Sequence, residues 1–62
     1  MLAKFIGTDR VEVAINAAQV TFVTPVSDGT RIRFAAGRSV TVTEPLAEVM
    51  ESLNRTLRAP QD

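Results

Sequence analysis

Between Val11 and Thr43 apolar side chains recur at every second residue, and just past Pro45 the spacing changes to that of a helix. A repeat of two belongs to a strand with one buried face, and a repeat of about 3.6 to an amphipathic helix. Val11, Val13 and Ile15 alternate with Glu12 and Ala14; Val20, Phe22, Thr24 and Val26 keep the same period. Ile32 and Phe34 alternate with Arg31 and Arg33, and Val40 and Val42 with Ser39, Thr41 and Thr43. The valine, isoleucine, threonine and phenylalanine content suits a pleated, half-buried surface. An opening strand near Leu2 to Gly7 is expected, with either Ala3 and Phe5 or Leu2 and Ile6 turned inward.

Turn chemistry sets the expected register. "GTDR" at residues 7 to 10 reads as the turn joining the first two strands. In "SDG" a two-residue Asp28-Gly29 loop would put Phe22 and Arg31 on one face. A three-residue loop with Gly29 in the left-handed conformation pairs Val26 with Thr30, Thr24 with Ile32 and Phe22 with Phe34. A one-residue slip reverses every side chain, so the hydrophobic pattern favours the three-residue loop. By the same argument Ala35, Ala36 and Gly37 form a loop pairing Phe34 with Arg38 and Ile32 with Val40.

Leu46, Val49, Met50, Leu53 and Leu57 form an apolar stripe at helical spacing. Pro45 fits the first helical position, where its missing N–H costs nothing, and it excludes Glu44 from the helix. Glu48 and Glu51 favour the N-terminal end of the helix dipole, Arg55 and Arg58 the C-terminal end, and Glu51 and Arg55 make an i,i+4 pair. The predicted fold is therefore α+β and β-rich: a curled, barrel-like antiparallel meander of four or five strands within 2–43, a helix over about 45–58 and a frayed tail at 59–62. It is one small domain spanning 1–62.

A chain of 62 residues buries only about 60% of the surface it exposes when unfolded, so its stability is marginal. It has no cysteine and no histidine, which removes disulfides and the usual zinc ligands. Good packing or self-association remains, and a homodimer is the expected state. Seven basic and seven acidic residues cancel, unlike the strongly basic balance of a general polyanion binder. No apolar run approaches a membrane span or a signal peptide, so a cytoplasmic chain with no membrane partner is expected.

Catalysis is poorly supplied. There is no tyrosine, there is a single lysine, and the carboxylates show no pairing that would tune an acid against a base. Glu44 and Glu48 could approach on adjacent helical turns, but a solvated capping end accounts for them. No loop matches the phosphate-cradling pattern. The chain reads as a non-enzyme without cofactor or metal.

The surface candidates come from the sheet. The predicted register turns Arg31 and Arg33 outward beside Thr21, Val23, Pro25, Ser39 and Thr41, while Arg38 sits with the opposite parity at a hairpin end. Val23, Pro25, Arg31 and Arg33 are the candidate surface for a protein partner, apolar atoms flanked by arginine stems; ordinary solvated surface is the plainer account of each residue alone. The alternative is a nucleic-acid-binding regulator using Arg31, Arg33 and Arg38. It lacks a base-stacking platform, because Phe22 and Phe34 are expected in the core and no aromatic accompanies the arginines.

"AIN" at 14–16, "DGTRIRF", "AGRSVTV", Glu44 and "LAEVMESL" together resemble the FlbD-like family of small flagellar or swarming-motility proteins. Asn16, Gly37 followed by Arg38 in place of lysine, Val42, Glu44 and Val49 occupy matching places over nearly the whole chain. Pro45 departs from the family's usual serine, and Arg33 stands in a strand that is often more apolar. The resemblance implies a cytoplasmic bacterial accessory protein acting through protein contacts, and it supplies no catalytic residues. A similar strand-and-hairpin cadence occurs in LytTR-like DNA-binding regulators.

Overall fold

A computed structural model describes residues 1–58; the tail expected to fray at 59–62 lies outside the described residues. In chain order the elements are β1 (Leu2–Ile6), β2 (Glu12–Asn16), β3 (Val20–Val26), β4 (Gly29–Phe34), β5 (Ser39–Val42) and α1 (Leu46–Arg58), with short 3-10 turns at Ala17–Gln19 and Ala35–Gly37. β1 and β2 form one antiparallel sheet and β3, β4 and β5 another. The end of β1 is stitched onto β5: Gly7 bridges Val42, the Thr43 N–H donates to the Ile6 carbonyl at 2.8 Å, and Thr8 N–H donates to the Thr41 carbonyl at 3.2 Å. The five strands and single helix fit the α+β expectation, but the sheets curl without closing into a barrel. β2 and β3 do not pair. Between them the chain turns a corner at Ala17–Gln19, where the Asn16 side-chain oxygen accepts from the Ala18 N–H at 3.0 Å and caps the turn.

In the first hairpin Ala3 and Phe5 take the inward face, opposite Ile15 and Val13, and leave Leu2 and Ile6 exposed. The "GTDR" turn forms as expected. Arg10 N–H donates to the Gly7 carbonyl at 2.8 Å, Gly7 N–H to the Val11 carbonyl at 2.9 Å, and Asp9 Oδ1 accepts from Val11 N–H. Arg10 takes the left-handed conformation the turn requires, with φ 69°.

The second hairpin departs from its expected register. Val26 pairs with Gly29 across a two-residue Ser27-Asp28 loop, so Val23 faces Ile32, Thr24 faces Arg31 and Phe22 faces Arg33. The slip turns Phe22 out of the core and Val23 into it. The cause lies on β5. Gly29, with φ 151°, passes so close to that strand that a Cβ atom would sit 1.8 Å from the Val42 carbonyl oxygen. The glycine is therefore spent inside β4 rather than in the loop. A register shift between Val20 and Phe22 then restores Val20 opposite Phe34. This bulge at Thr21 lets Val20 and Val23, three residues apart, both pack on the core.

The third hairpin follows expectation: Ile32 pairs with Val40, and Phe34 N–H donates to the Arg38 carbonyl at 2.8 Å. Gly37 is left-handed with φ 77°, and Ala36 joins it at φ 69°.

Helix α1 covers the inward side. Val49 and Leu53 complete a core of Ala3, Phe5, Ile15, Ala17, Ile32 and Val42. Among the described residues Thr30 is the one polar residue buried with them, and its hydroxyl donates to the Glu44 carbonyl at 2.8 Å, which pairs it. The Pro45 carbonyl accepts from Val49 N–H at 3.0 Å, which makes Pro45 the capping residue and starts the helix at Leu46, one residue later than the sequence suggests. Glu51 and Arg55 form the expected ion pair at 2.6 Å. Both side chains are largely exposed, so the pair contributes only about 0.3–0.5 kcal/mol.

Candidate interaction surfaces

Pleating carries Arg31 and Arg33 to the face of β4 opposite buried Ile32. Arg31 lies between Thr24 and Thr41, and Arg33 between Phe22 and Ser39. Arg38 keeps the opposite parity and is exposed at the hairpin end. The three arginines therefore form no single patch, as expected. One expectation about them fails. Phe22, turned outward by the register, brings an aromatic ring to the arginines, and the Arg33 guanidinium carbon stands 5.6 Å from its centroid. That distance is within cation–π range.

Val23, Pro25, Arg31 and Arg33 do not share a face. Val23 is half-buried against the core, and Pro25 pairs with buried Thr30, on the side of the sheet away from the arginines. Pro25 itself is exposed at the sheet end. A two-residue loop closes on a hydrogen-bonded pair, so alternation leaves Pro25–Thr30 non-bonded. The missing N–H costs the β3–β4 ladder nothing and instead faces the free edge of β3.

A different apolar surface takes their place. Phe22, Met50 and Leu57 are 53%, 47% and 43% exposed. With Ala17, Val20, Val23 and Leu53 they line a groove of about 190 Å³ between β3 and α1. The sequence pattern puts Phe22 in the core and Met50 and Leu57 in the apolar stripe of the helix that covers it. The signal against this was position within the stripe: Met50 and Leu57 lie on one flank of it, so a helix that seats Val49 and Leu53 in the core leaves them at its margin.

A second groove, of about 980 Å³, opens where the curl fails to close. Val13 and Ile15 of β2 form one wall, and Val20, Phe34 and Val40 the other, with Arg38 at the rim. The sequence pattern, which assumed a near-closed meander, gave no warning of it.

The carboxylates serve the fold. Both Glu44 oxygens accept from the Ile6 N–H, at 3.0 and 3.2 Å, extending the seam between β1 and β5. Glu48 and Glu51 line a small cleft with Glu44, Lys4 and Arg55. Among the described residues no group of three or more acidic side chains is placed to hold a metal ion, and no helix is long and apolar enough to cross a membrane. Compared with protein-family models, with curated proteins and with solved structures, the chain matches none.

Proposed function

We propose that this chain is a small non-catalytic interaction module, self-associating, that docks a protein partner on the apolar strip formed by Phe22, Met50 and Leu57. The observation that carries the reading is that strip. Three large apolar side chains, each about half exposed, line one groove on a domain with little surface to spare. Clustered exposure of this kind marks contact sites, whereas scattered apolar residues do not. Arg33, held over Phe22, sets a cation beside the strip, so a partner segment with apolar side chains and an acidic flank fits it best. The residues that carry the FlbD-like resemblance agree with such a role. Asn16 caps a turn and Glu44 holds a seam, so they supply shape rather than chemistry. That resemblance extends the proposal to a cytoplasmic bacterial accessory protein of motility.

The test is crosslinked capture from the native host with the wild type, Phe22→Asp and Met50→Asp. A partner protein retained by the wild type and lost by both variants is the expected result. Retention indifferent to both substitutions would remove the strip from the reading.

The Arg33–Phe22 pair also favours a second reading, single-stranded nucleic acid stacked on the outer sheet face, because an exposed ring beside cations is what such platforms use. Arg31 and Arg33 from two copies would give four phosphate contacts and a log-affinity against log-salt slope of about −3. No binding of single-stranded oligonucleotides at low salt ends that reading.

A further inference from the structure

We propose that two copies of this chain join through β2, pairing antiparallel about a two-fold axis at Ala14 so that the two small sheets become one four-stranded sheet. This deepens the self-association in the reading above and is independent of the Phe22 strip.

Hydrogen-bond alternation along the β1–β2 ladder decides which backbone groups of β2 are free. Gly7–Val11 and Met1–Ala17 are hydrogen-bonded pairs at the two ends of the β1–β2 ladder, at 2.9 and 3.0 Å. Bonded and non-bonded pairs alternate between them, so Phe5–Val13 and Ala3–Ile15 are bonded and Ile6–Glu12, Lys4–Ala14 and Leu2–Asn16 are not. The Ile6 N–H agrees, since it points away from β2 and onto Glu44. Glu12, Ala14 and Asn16 therefore aim their N–H and C=O groups at the other edge, where β2 has no neighbouring strand among the described residues.

With the end of β1 stitched onto β5, β2 and β3 are the outer strands of the fold, and only one of them is protected. On β3 the edge-facing positions include Pro25, which has no N–H, and the bulge at Thr21 breaks the ladder. Proline and bulges are the usual devices that keep an edge from pairing. β2 has neither, and no lysine. Its register with β1 is regular over all five residues, and Glu12 is its only charge.

The sequence of β2 suits pairing with itself. Side-chain parity requires inward residues to meet inward residues, and a two-fold at Ala14 is the register that uses the whole strand. Val13 then faces Ile15 of the second copy on the groove side, and Glu12 faces Asn16 rather than another glutamate. Like charges are kept apart, and half-buried Val13 at the mouth of the 980 Å³ groove gains cover.

Sedimentation equilibrium of the full chain from micromolar to millimolar concentration tests this, with circular dichroism to check folding. The wild type is expected to dimerise. Ala14→Pro loses only an N–H that faces the free edge, and Ala14→Lys and Ala14→Glu each set like charges opposite one another at the axis. Each variant alone should associate more weakly, by up to about fivefold for the single opposed charge pair. An equimolar mixture of the lysine and glutamate variants should recover dimer, because only a two-fold at residue 14 puts the opposite charges face to face. A wild type that stays monomeric throughout, or lysine and glutamate variants that each dimerise as well as the wild type, overturns the proposal. Should Ala14→Pro fail to fold, the charge pair alone decides. The capture experiment with Phe22→Asp stands apart, so failure of either idea is visible without the other.

Discussion

Gly29→Ala gives the sharpest test of how the second hairpin is built. The substitution adds one carbon atom, placed 1.8 Å from the Val42 carbonyl oxygen and 2.9 Å from its carbonyl carbon. All three of its nearest atoms are backbone of Val42 and Thr43, so no side chain can swing away to make room. Relief requires β4 and β5 to separate where Thr30 pairs with fully buried Val42. Overpacking of this kind costs about 1–3 kcal/mol, and holding a residue other than glycine at φ 151° costs about 1–3 kcal/mol more. At roughly 0.05–0.15 kcal/mol per residue the whole domain has about 3–9 kcal/mol to lose. Urea denaturation followed by circular dichroism should therefore show Gly29→Ala losing about half its stability or more, and Gly29→Asn should be no better. Asparagine is the discriminating choice. Were Gly29 the left-handed residue of a three-residue loop, asparagine would be tolerated there, as it should be at Gly37, where nothing lies within 4 Å of the added carbon. A Gly29→Asn variant as stable as Gly37→Asn would refute the two-residue loop and return Phe22 to the core.

Three further outcomes follow from the same geometry. Ile32→Ala empties a fully buried site and should cost about 2–5 kcal/mol in denaturant titrations, whereas Phe22→Ala, already half exposed, should cost about 1 kcal/mol; the reverse ranking would contradict the register. Thr30→Val keeps the side-chain shape but leaves the Glu44 carbonyl without its buried donor, an expected loss of about 1–3 kcal/mol in the same assay. Asn16→Ala removes the cap of the Ala17–Gln19 corner and should lower stability by about 1 kcal/mol, with faster amide exchange at Ala18 as its local signature by nuclear magnetic resonance.

The sequence by itself determined the element types and most of their order. Alternation up to Val42, the punctuation at "GTDR" and "AAG", and the change of period at Pro45 are local signals. Each reports a backbone preference that neighbouring residues share, so four or five strands and a helix could be read without coordinates. The outward placement of Arg31 and Arg33 was legible for the same reason, since parity within one strand is local. What faced them was not. The partners of β4 depend on where Gly29 falls in the hairpin, and that is decided by the backbone of β5, thirteen residues away at Val42. The bulge at Thr21 then absorbs the resulting mismatch. A pattern of period two cannot announce a residue that breaks the period. The open curl between β2 and β3, the exposed strip of Phe22, Met50 and Leu57, and the unprotected edge of β2 are likewise tertiary outcomes. The strip depends on how α1 seats against the strands, and the open curl and the free edge on which strands pair, matters of packing and pairing that no single stretch of the chain encodes.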